Sequence, residues 1–417
     1  MERGPAGWGS PWPQAGYTGK VRHVIRRFQV PDLFFFALVL LLAGLGLIGV
    51  YSASSVTAYD HFGDSLYYLK RQTVFVIAGL SCMFLILASD YHRFVRLGGW
   101  ALLLTILSLV AVQIPGVGHR VGGALRWIDL GGFRFQPGEF AKLSCILYMS
   151  WALVRKGADV QSFAYGLLPM GLVAGLLAGL LMLQPDFGNA VLLVCLSGML
   201  LFLAGARISY LLSAVLLLLP VAWTLIMGAE YRKRRLLSFL NPWLDPQHTS
   251  YQIIQSFTAF FSGGLWGRGL GNSQEKLYYL PEIHTDFIGS LIAEELGFVG
   301  ISMMLIAFVL LILRGFRIAL RASDPVGFLL AAGCTCLIGL QAAINLMVVM
   351  GLVPTKGLPL PFLSHGGSAL LVTFMACGFI QSVARRSAAH DGHQHGSPWL
   401  KLWGSGHHHR KTEKPAT

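Results

Sequence analysis

One stretch joins a polar loop to a long apolar run: Leu280-Pro-Glu-Ile-His-Thr-Asp-Phe-Ile-Gly-Ser-Leu-Ile-Ala-Glu-Glu-Leu-Gly297. Its proline and the Thr-Asp pair after it favour the start of a helix. Asp286 would lie at the mouth of that helix, with Glu294 and Glu295 about two to three turns deeper. In a bilayer, ionisable groups at such positions are costly enough to be functional candidates. The alternative is that Asp286 only caps the helix.

The composition indicates a membrane protein. The chain has 417 residues, of which 54% are hydrophobic and 12% charged, and its mean hydropathy is +0.61. Soluble domains carry roughly 25% charged residues. Apolar runs long enough to cross a bilayer recur from end to end. They predict an all-α integral membrane protein of about ten transmembrane helices, with a large extracytoplasmic loop between the seventh and eighth.

The predicted spans define a membrane domain between two tails. They cover roughly residues 32–52, 72–89, 98–114, 139–154, 165–183, 188–204, 208–228, 287–313, 326–350 and 366–384. Residues 31–385 therefore form the predicted polytopic domain, and residues 1–30 a cytoplasmic N-terminal tail. Residues 386–417 form a second cytoplasmic tail, whose histidine-rich composition is typical of disorder.

The basic residues predict an anionic ligand on the outer side. The formal net charge is +13, yet no nucleic-acid-binding motif accompanies it, so lipid headgroups and phosphate-bearing substrates fit better. Lys and Arg counts favour a cytoplasmic N-terminus only when the tails are included, because the outer loops 115–138 and 229–286 are also basic. In the second loop, the amphipathic run from Tyr251 to Phe261 predicts a short helix lying in the membrane interface.

Five sequence blocks occur in an order that resembles a known family. They are Gln136-Pro-Gly-Glu-Phe-Ala-Lys142, Gln184-Pro-Asp-Phe-Gly188, Tyr251-Gln-Ile-Ile-Gln-Ser256, Leu280-Pro-Glu-Ile-His-Thr-Asp-Phe-Ile288, and Pro354-Thr-Lys-Gly-Leu-Pro-Leu-Pro-Phe362 with Ser364-His-Gly-Gly-Ser368. They resemble the SEDS proteins (shape, elongation, division and sporulation), and the last block resembles the FtsW-like division branch. Two departures stand out, since the family usually has Ser at Gly138 and Tyr at His365.

The resemblance implies a peptidoglycan glycosyltransferase of the bacterial cytoplasmic membrane. Such an enzyme polymerises lipid II, a disaccharide-pentapeptide on undecaprenyl pyrophosphate, at the outer face and at the division septum. The implied partners are a class B penicillin-binding protein that cross-links the strands, other division proteins and membrane lipids, and the implied cofactor is Mg²⁺ or Mn²⁺. The catalytic aspartate of the family falls on Asp286, near which the metal would bind.

The residue types suit that chemistry. A pyrophosphate departs without a proton, so a single carboxylate, Asp286, suffices as general base for the attacking sugar hydroxyl. Cations must stabilise the departing charge, and the outer candidates are Arg126, Arg232, Arg235, Lys276 and Lys356. Further candidates for the substrate site are Glu139, Lys142, His284, Ser364 and His365.

Several of these residues have alternative roles. Any one of the cations could instead be a snorkelling residue at the interface. Glu139 and Lys142, one turn apart, either pair with each other or line the cavity. Glu294 and Glu295 point to different faces, so at most one shares a cavity with Asp286, and the other would pair with a buried base.

Two other functions compete with the polymerase. In a lipid II flippase or transporter, the same acids and bases would form a translocation path. In a division scaffold, the tails and outer loops would recruit partners. No internal repeat supports a transporter built from inverted halves.

Overall fold

The computed structural model describes residues 31–121, 124–129, 131, 134–244, 246, 250–274 and 285–391. Within them, thirteen α-helices and three strands follow one another: α1 (Leu33–Phe62), α2 (Tyr67–Ala88), α3 (Tyr91–Arg96), α4 (Gly98–Ala111), β1 (Gly118–Val121), β2 (Ala124–Asp129), β3 (Arg134–Phe135), α5 (Pro137–Lys156), α6 (Leu168–Leu183), α7 (Phe187–Leu203), α8 (Ile208–Met227), α9 (Glu230–Leu240), α10 (Tyr251–Gly263), α11 (Ile288–Leu320), α12 (Pro325–Val349) and α13 (Gly367–Asp391). A 3₁₀ turn and a π turn lie between α5 and α6.

Ten of these helices match the ten predicted spans in order, and α3, α9 and α10 are the short helices between them. Among the described residues, seven helices are long and apolar enough to cross a membrane, while α4 and α7 are shorter apolar helices. The one predicted span that remains is α5, which carries Glu139 and Lys142 in its first turns. The predicted all-α membrane architecture is confirmed.

Contacts of Asp32 define one end of the helix bundle. Its side chain caps α1 by accepting from the Phe35 amide at 3.0 Å, and it pairs with Arg314 of α11 at 2.7 Å. Its main-chain carbonyl accepts from Gln381 of α13 at 2.8 Å. We call this end the tail face, because the described chain begins and ends there. The opposite end, where α1 and α12 finish, is the loop face.

The first long loop is not simply irregular. Its three strands form an antiparallel sheet in the order β1-β2-β3, with Gly118 opposite Ile128 and Asp129 opposite Arg134. The prediction contained no strand. The side chains of β2 show no alternation of buried and exposed positions, and alternation over several residues is the pattern by which a strand is predicted.

The helix α10 covers the predicted amphipathic run, but it packs into the bundle. The face that contains Ile253, Ser256 and Gly263 is buried. The Ser256 hydroxyl lies 2.7 Å from that of Ser290 in α11 and donates to the Val349 carbonyl at 2.6 Å. The predicted short helix is therefore present, and its small polar residues let it approach α11 closely; its position in the membrane interface stays a prediction.

Helix α11 consists of two half-helices. Gly297, with φ 67° and ψ −166°, interrupts the helical backbone between them. The second half runs antiparallel to α1: Ser52 donates to Glu295 at one end, and Arg314 pairs with Asp32 at the other. Glu295 therefore lies near the loop face.

The first half of α11 also lies near the loop face. Phe287 and Leu291 pack with Ala53, next to the α1 residue that donates to Glu295. Asp286 and the two glutamates consequently lie at similar depths in the bundle. The predicted order, with Glu294 and Glu295 deeper than Asp286, is wrong, because it assumed one straight helix where a glycine breaks it.

The close packing of α10 and α11 predicts a sensitive glycine. A Cβ atom on Gly263 would lie 2.0 Å from the Ala293 carbonyl oxygen, a backbone atom that cannot move aside. We expect Gly263→Ala to lower the free energy of unfolding by about 1–3 kcal/mol, as overpacking does, measured by thermal melting in detergent. Gly179→Ala in α6, where nothing lies within 4 Å, is the matched control; equal melting temperatures for both variants would contradict the packing.

Candidate active site

Asp286 lies in the turn 285–287 that immediately precedes α11. Phe287, and not Asp286, occupies the N-cap position of α11. The Asp286 carbonyl accepts from Nδ2 of Asn345 at 2.9 Å. A Cβ atom on Gly357 would lie 3.1 Å from Oδ2 of Asp286. The carboxylate thus reaches the segment between α12 and α13.

That segment, residues 350–366, forms one wall of the site, and we call it the α12–α13 loop. Two side-chain amides of α12 hold it. Asn345 donates to the Leu358 carbonyl at 2.7 Å. One turn earlier, Gln341 donates to the Pro359 carbonyl at 3.0 Å. Because both amides are buried in α12, they fix the loop to a rigid element.

Two of the candidate cations belong to this wall. Nη1 of Arg235 on α9 donates to the Thr355 carbonyl at 3.3 Å. Nζ of Lys356 lies 4.9 Å from the centre of the Phe187 ring. Burial lowers the pKa of the Lys356 ammonium from its usual range, because a partly dry environment disfavours the charged form. The loop therefore brings Arg235 and Lys356 next to the segment that contacts Asp286.

The two remaining candidate arginines, Arg126 and Arg232, differ in their hydrogen bonds. Arg126 donates from Nε to the Gln184 carbonyl at 3.2 Å and from Nη2 to that of Pro185, so it holds the turn before Phe187. Nε and Nη1 of Arg232 are buried and have no hydrogen-bond partner among the described residues. Buried donors are normally satisfied, and a phosphate oxygen is a suitable acceptor for a guanidinium.

Glu139 and Lys142 form a buried ion pair. Nζ of Lys142 lies 2.8 Å from Oε2 of Glu139, 3.1 Å from Oδ1 of Asn189 and 3.4 Å from Oε1 of Gln341. Lys142 is 0% exposed and Glu139 1%. Of the two alternatives, the geometry favours mutual pairing over an open cavity, and Gln341 connects the pair to the α12–α13 loop.

Ser364 and His365 stabilise the far end of the same loop. Oγ of Ser364 accepts from the Leu360 amide at 2.7 Å, which closes a turn. Nδ1 of His365 lies 3.1 Å from Oε1 of Gln72, and its ring meets that of Tyr68 edge to face at 5.2 Å. In this structure both residues attach the loop to itself and to α2.

The two glutamates of α11 contact different neighbours. Glu294 accepts from the Gln274 amide at 2.9 Å and from the Ser273 hydroxyl, and lies 3.6 Å from Arg268. Arg268 is partly exposed, whereas the predicted partner was a buried base. Glu295 accepts from a serine of α1. These contacts assign the glutamates to packing.

The sequence reasoning missed the two amides of α12. Gln341 and Asn345 are polar residues four apart inside an apolar run, so they share one helix face; that spacing is the signal by which they could have been found. Lys276 and His284, both predicted for the substrate site, lie outside the described residues.

The donor set suits a metal that arrives with its substrate. The described residues contain no cluster of three His, Cys, Asp or Glu side chains able to hold an ion. Mg²⁺ is typically bound by one or two carboxylates together with substrate phosphates and water. Asp286 could supply that single carboxylate.

Comparisons with known proteins identify the family of the chain. The chain matches the FtsW/RodA/SpoVE cell cycle protein family over residues 32–389. A probable peptidoglycan glycosyltransferase FtsW of Geobacter metallireducens is 44% identical over 362 residues, covering 87% of this chain and 96% of that protein. The stage V sporulation protein E of Bacillus subtilis is 42% identical over 358 residues, covering 86% and 98%.

Solved structures share the fold. A chain from a peptidoglycan synthase complex, studied for how it coordinates polymerization and crosslinking, superposes with a TM-score of 0.72 at 29% identity, covering 85% of this chain and 98% of that one. The rod shape determining protein RodA of Thermus thermophilus gives 0.64 at 28% identity, covering 85% and 97%. The protein therefore belongs to the FtsW/RodA/SpoVE family, the SEDS proteins, and is FtsW-like.

Proposed function

We propose that this protein is a peptidoglycan glycosyltransferase of cell division that polymerises lipid II into glycan strands, with Asp286 as general base. Its FtsW relatives carry that enzyme name. The observation that supports the assignment of the base is the position of its carboxylate beside the loop that carries Lys356: a Cβ atom on Gly357 would lie 3.1 Å from Oδ2 of Asp286. The protein acts in the cytoplasmic membrane at the septum, and the loop face is its extracytoplasmic side.

The proposed reaction is an inverting transfer. A hydroxyl of one saccharide attacks the anomeric carbon of another, the bond from that carbon to the phosphate oxygen breaks, and the pyrophosphate leaves with the bonding electrons. The attacking hydroxyl loses its proton to Asp286. The leaving pyrophosphate needs no proton, so one carboxylate suffices where a glycosidase uses two.

Three basic residues are proposed to bind the pyrophosphate. Arg232 has two buried donors without a hydrogen-bond partner in the described part of the chain, and Lys356 and Arg235 lie in or against the α12–α13 loop. Asp286 would also hold the proposed Mg²⁺ or Mn²⁺, which when bound supplies charge neutralisation on the phosphates. Arg126 positions the neighbouring turn through its two carbonyl contacts.

The proposed substrate and partner are inferred from the activities of similar proteins. One similar structure comes from a peptidoglycan synthase complex that coordinates polymerization with crosslinking. A polymerase alone makes uncross-linked strands, so we propose that a class B penicillin-binding protein works with this chain. Other division proteins are proposed partners on the same reasoning, and lipid II is the proposed substrate.

A polymerisation assay in detergent tests the function. Purified protein with its penicillin-binding partner and labelled lipid II should yield long glycan chains resolved by electrophoresis. Flipping requires a sealed membrane, whereas polymerisation does not. Chains made in detergent would exclude a pure flippase or scaffold; their absence, with a known polymerase active in the same mixture, would contradict the proposal.

Lys356→Gln tests the phosphate site. The variant removes a charge-assisted contact worth about 1.5–3 kcal/mol, so we expect KM for lipid II to rise about tenfold or more, with a smaller change in kcat. Lys70→Gln, at an exposed lysine of α2 paired with Asp64, is the matched control and should change KM less than twofold. An unchanged KM in Lys356→Gln would remove this lysine from the site.

A further inference from the structure

Asn345 connects the proposed base to the opposite wall of the site. Its Nδ2 donates to the main-chain carbonyl of Asp286 at 2.9 Å and to that of Leu358 at 2.7 Å. One amide group thus joins the turn before α11 to the α12–α13 loop. The two acceptors lie far apart in the sequence. Gly357, the residue before Leu358, lies beside the Asp286 carboxylate, since a Cβ atom on it would lie 3.1 Å from Oδ2.

The Asn345 side chain is held in this position by its surroundings. Asn345 is 1% exposed, so it is sealed from substrate, and it projects from a continuous helix near its loop-face end. A carboxamide presents two N–H donors from a single nitrogen, which is what two converging carbonyl oxygens require. Its Oδ1 is buried without a partner among the described residues. The side chain therefore uses both of its N–H donors and leaves its acceptor unpaired within the described part of the chain.

We propose that Asn345 is the positioning residue for Asp286: it fixes the main chain of the base against the α12–α13 loop at the distance that the proton transfer requires. This inference rests on the proposed function. Proton transfer depends steeply on geometry, and a displacement of about 1 Å can cost roughly 100-fold in rate. Removal of the two donor contacts should therefore reduce kcat while leaving the binding of lipid II nearly unchanged.

The experiment compares two substitutions at this position. Asn345→Ala removes both contacts, and Asn345→Asp keeps the shape but faces two carbonyl oxygens with a carboxyl group. We expect each to lower kcat per folded molecule about 100-fold, with KM for lipid II changed less than threefold.

Gln341→Ala is the comparison variant. It removes a buried amide one turn away that donates to the Pro359 carbonyl of the same loop, whereas Asn345 donates to Asp286 itself, so its loss in kcat should be at least tenfold smaller. Rates are expressed per folded molecule, from the monodisperse fraction in size exclusion, so a loss of yield does not count as a loss of catalysis.

The outcomes separate the two proposals. If Asn345→Ala and Asn345→Asp keep kcat, or if Gln341→Ala loses as much as they do, the positioning role is overturned. If, in addition, Asp286→Asn is inactive, the proposed function still stands. If Asp286→Asn polymerises at an undiminished rate, Asp286 is not the base and the positioning role falls with it, whereas the polymerase activity still stands; if the unsubstituted protein makes no glycan chains, the proposed function itself fails.

Discussion

Asp286→Asn should lower the rate of glycan polymerisation by about 10²–10⁴-fold, which is what a positioned general base contributes. The substitution keeps the size of the side chain and the main-chain carbonyl that accepts from Asn345. It removes the negative charge, and with it the ability to accept a proton from the attacking hydroxyl and to hold the proposed metal ion. The rate is measured as glycan chain formation from labelled lipid II in detergent, with the penicillin-binding partner present.

Two comparisons make this result specific. Asp64→Asn removes an exposed carboxylate near the same face of the bundle, where it pairs with Lys70 at 2.7 Å, and it should leave the rate within twofold. Binding of lipid II to Asp286→Asn should persist if this residue acts on the proton. An undiminished rate would disprove its role as base, and a loss explained wholly by weaker binding would assign it to substrate recognition instead.

Hydropathy predicted the membrane domain well because lipid imposes one simple requirement on every span. Long apolar runs must be helical in a bilayer, so all ten spans were found in order. Their ends were less accurate. α1 continues to Phe62, ten residues beyond the predicted limit, because a helix can extend past the lipid with polar and aromatic residues that lower the hydropathy without breaking the backbone.

The site itself was only partly accessible from the sequence. Asp286 was found because an acid beside an apolar run is conspicuous, and the family resemblance gave it a role. Its partners depend on tertiary contacts that no local pattern encodes: Asn345 and Gly357 approach it from another helix and another loop. The half-helix before Gly297 was also missed, since a glycine in an apolar run is compatible with a straight helix.

The second large effect is expected on stability. Lys142→Met should lower the free energy of unfolding by about 3–5 kcal/mol, the cost of breaking a buried ion pair by removing one partner. Glu139 would lose the cation beside it, and its Oε1 already has no hydrogen-bond partner among the described residues. Asn189 and Gln341 would lose their shared donor as well. Thermal melting in detergent measures the change.

Lys156→Met, at the other end of α5, is the control for the loss of a lysine. Its Nζ donates to the Tyr165 carbonyl in an exposed position, so its removal should cost less than about 1 kcal/mol, in the range of surface contacts. A melting temperature of Lys142→Met equal to that of this control would contradict a tightly paired Lys142.

A double variant then decides between the two roles considered for this pair. Glu139→Gln combined with Lys142→Met leaves no buried charge, so most of the lost stability should return, because replacing both partners of a buried ion pair is often close to neutral. If the pair only supports α5, α7 and α12, polymerisation should return with stability. A stable double variant that remains inactive would mean that the pair acts on the substrate, and that the site extends inward past Gln341 to the centre of the bundle.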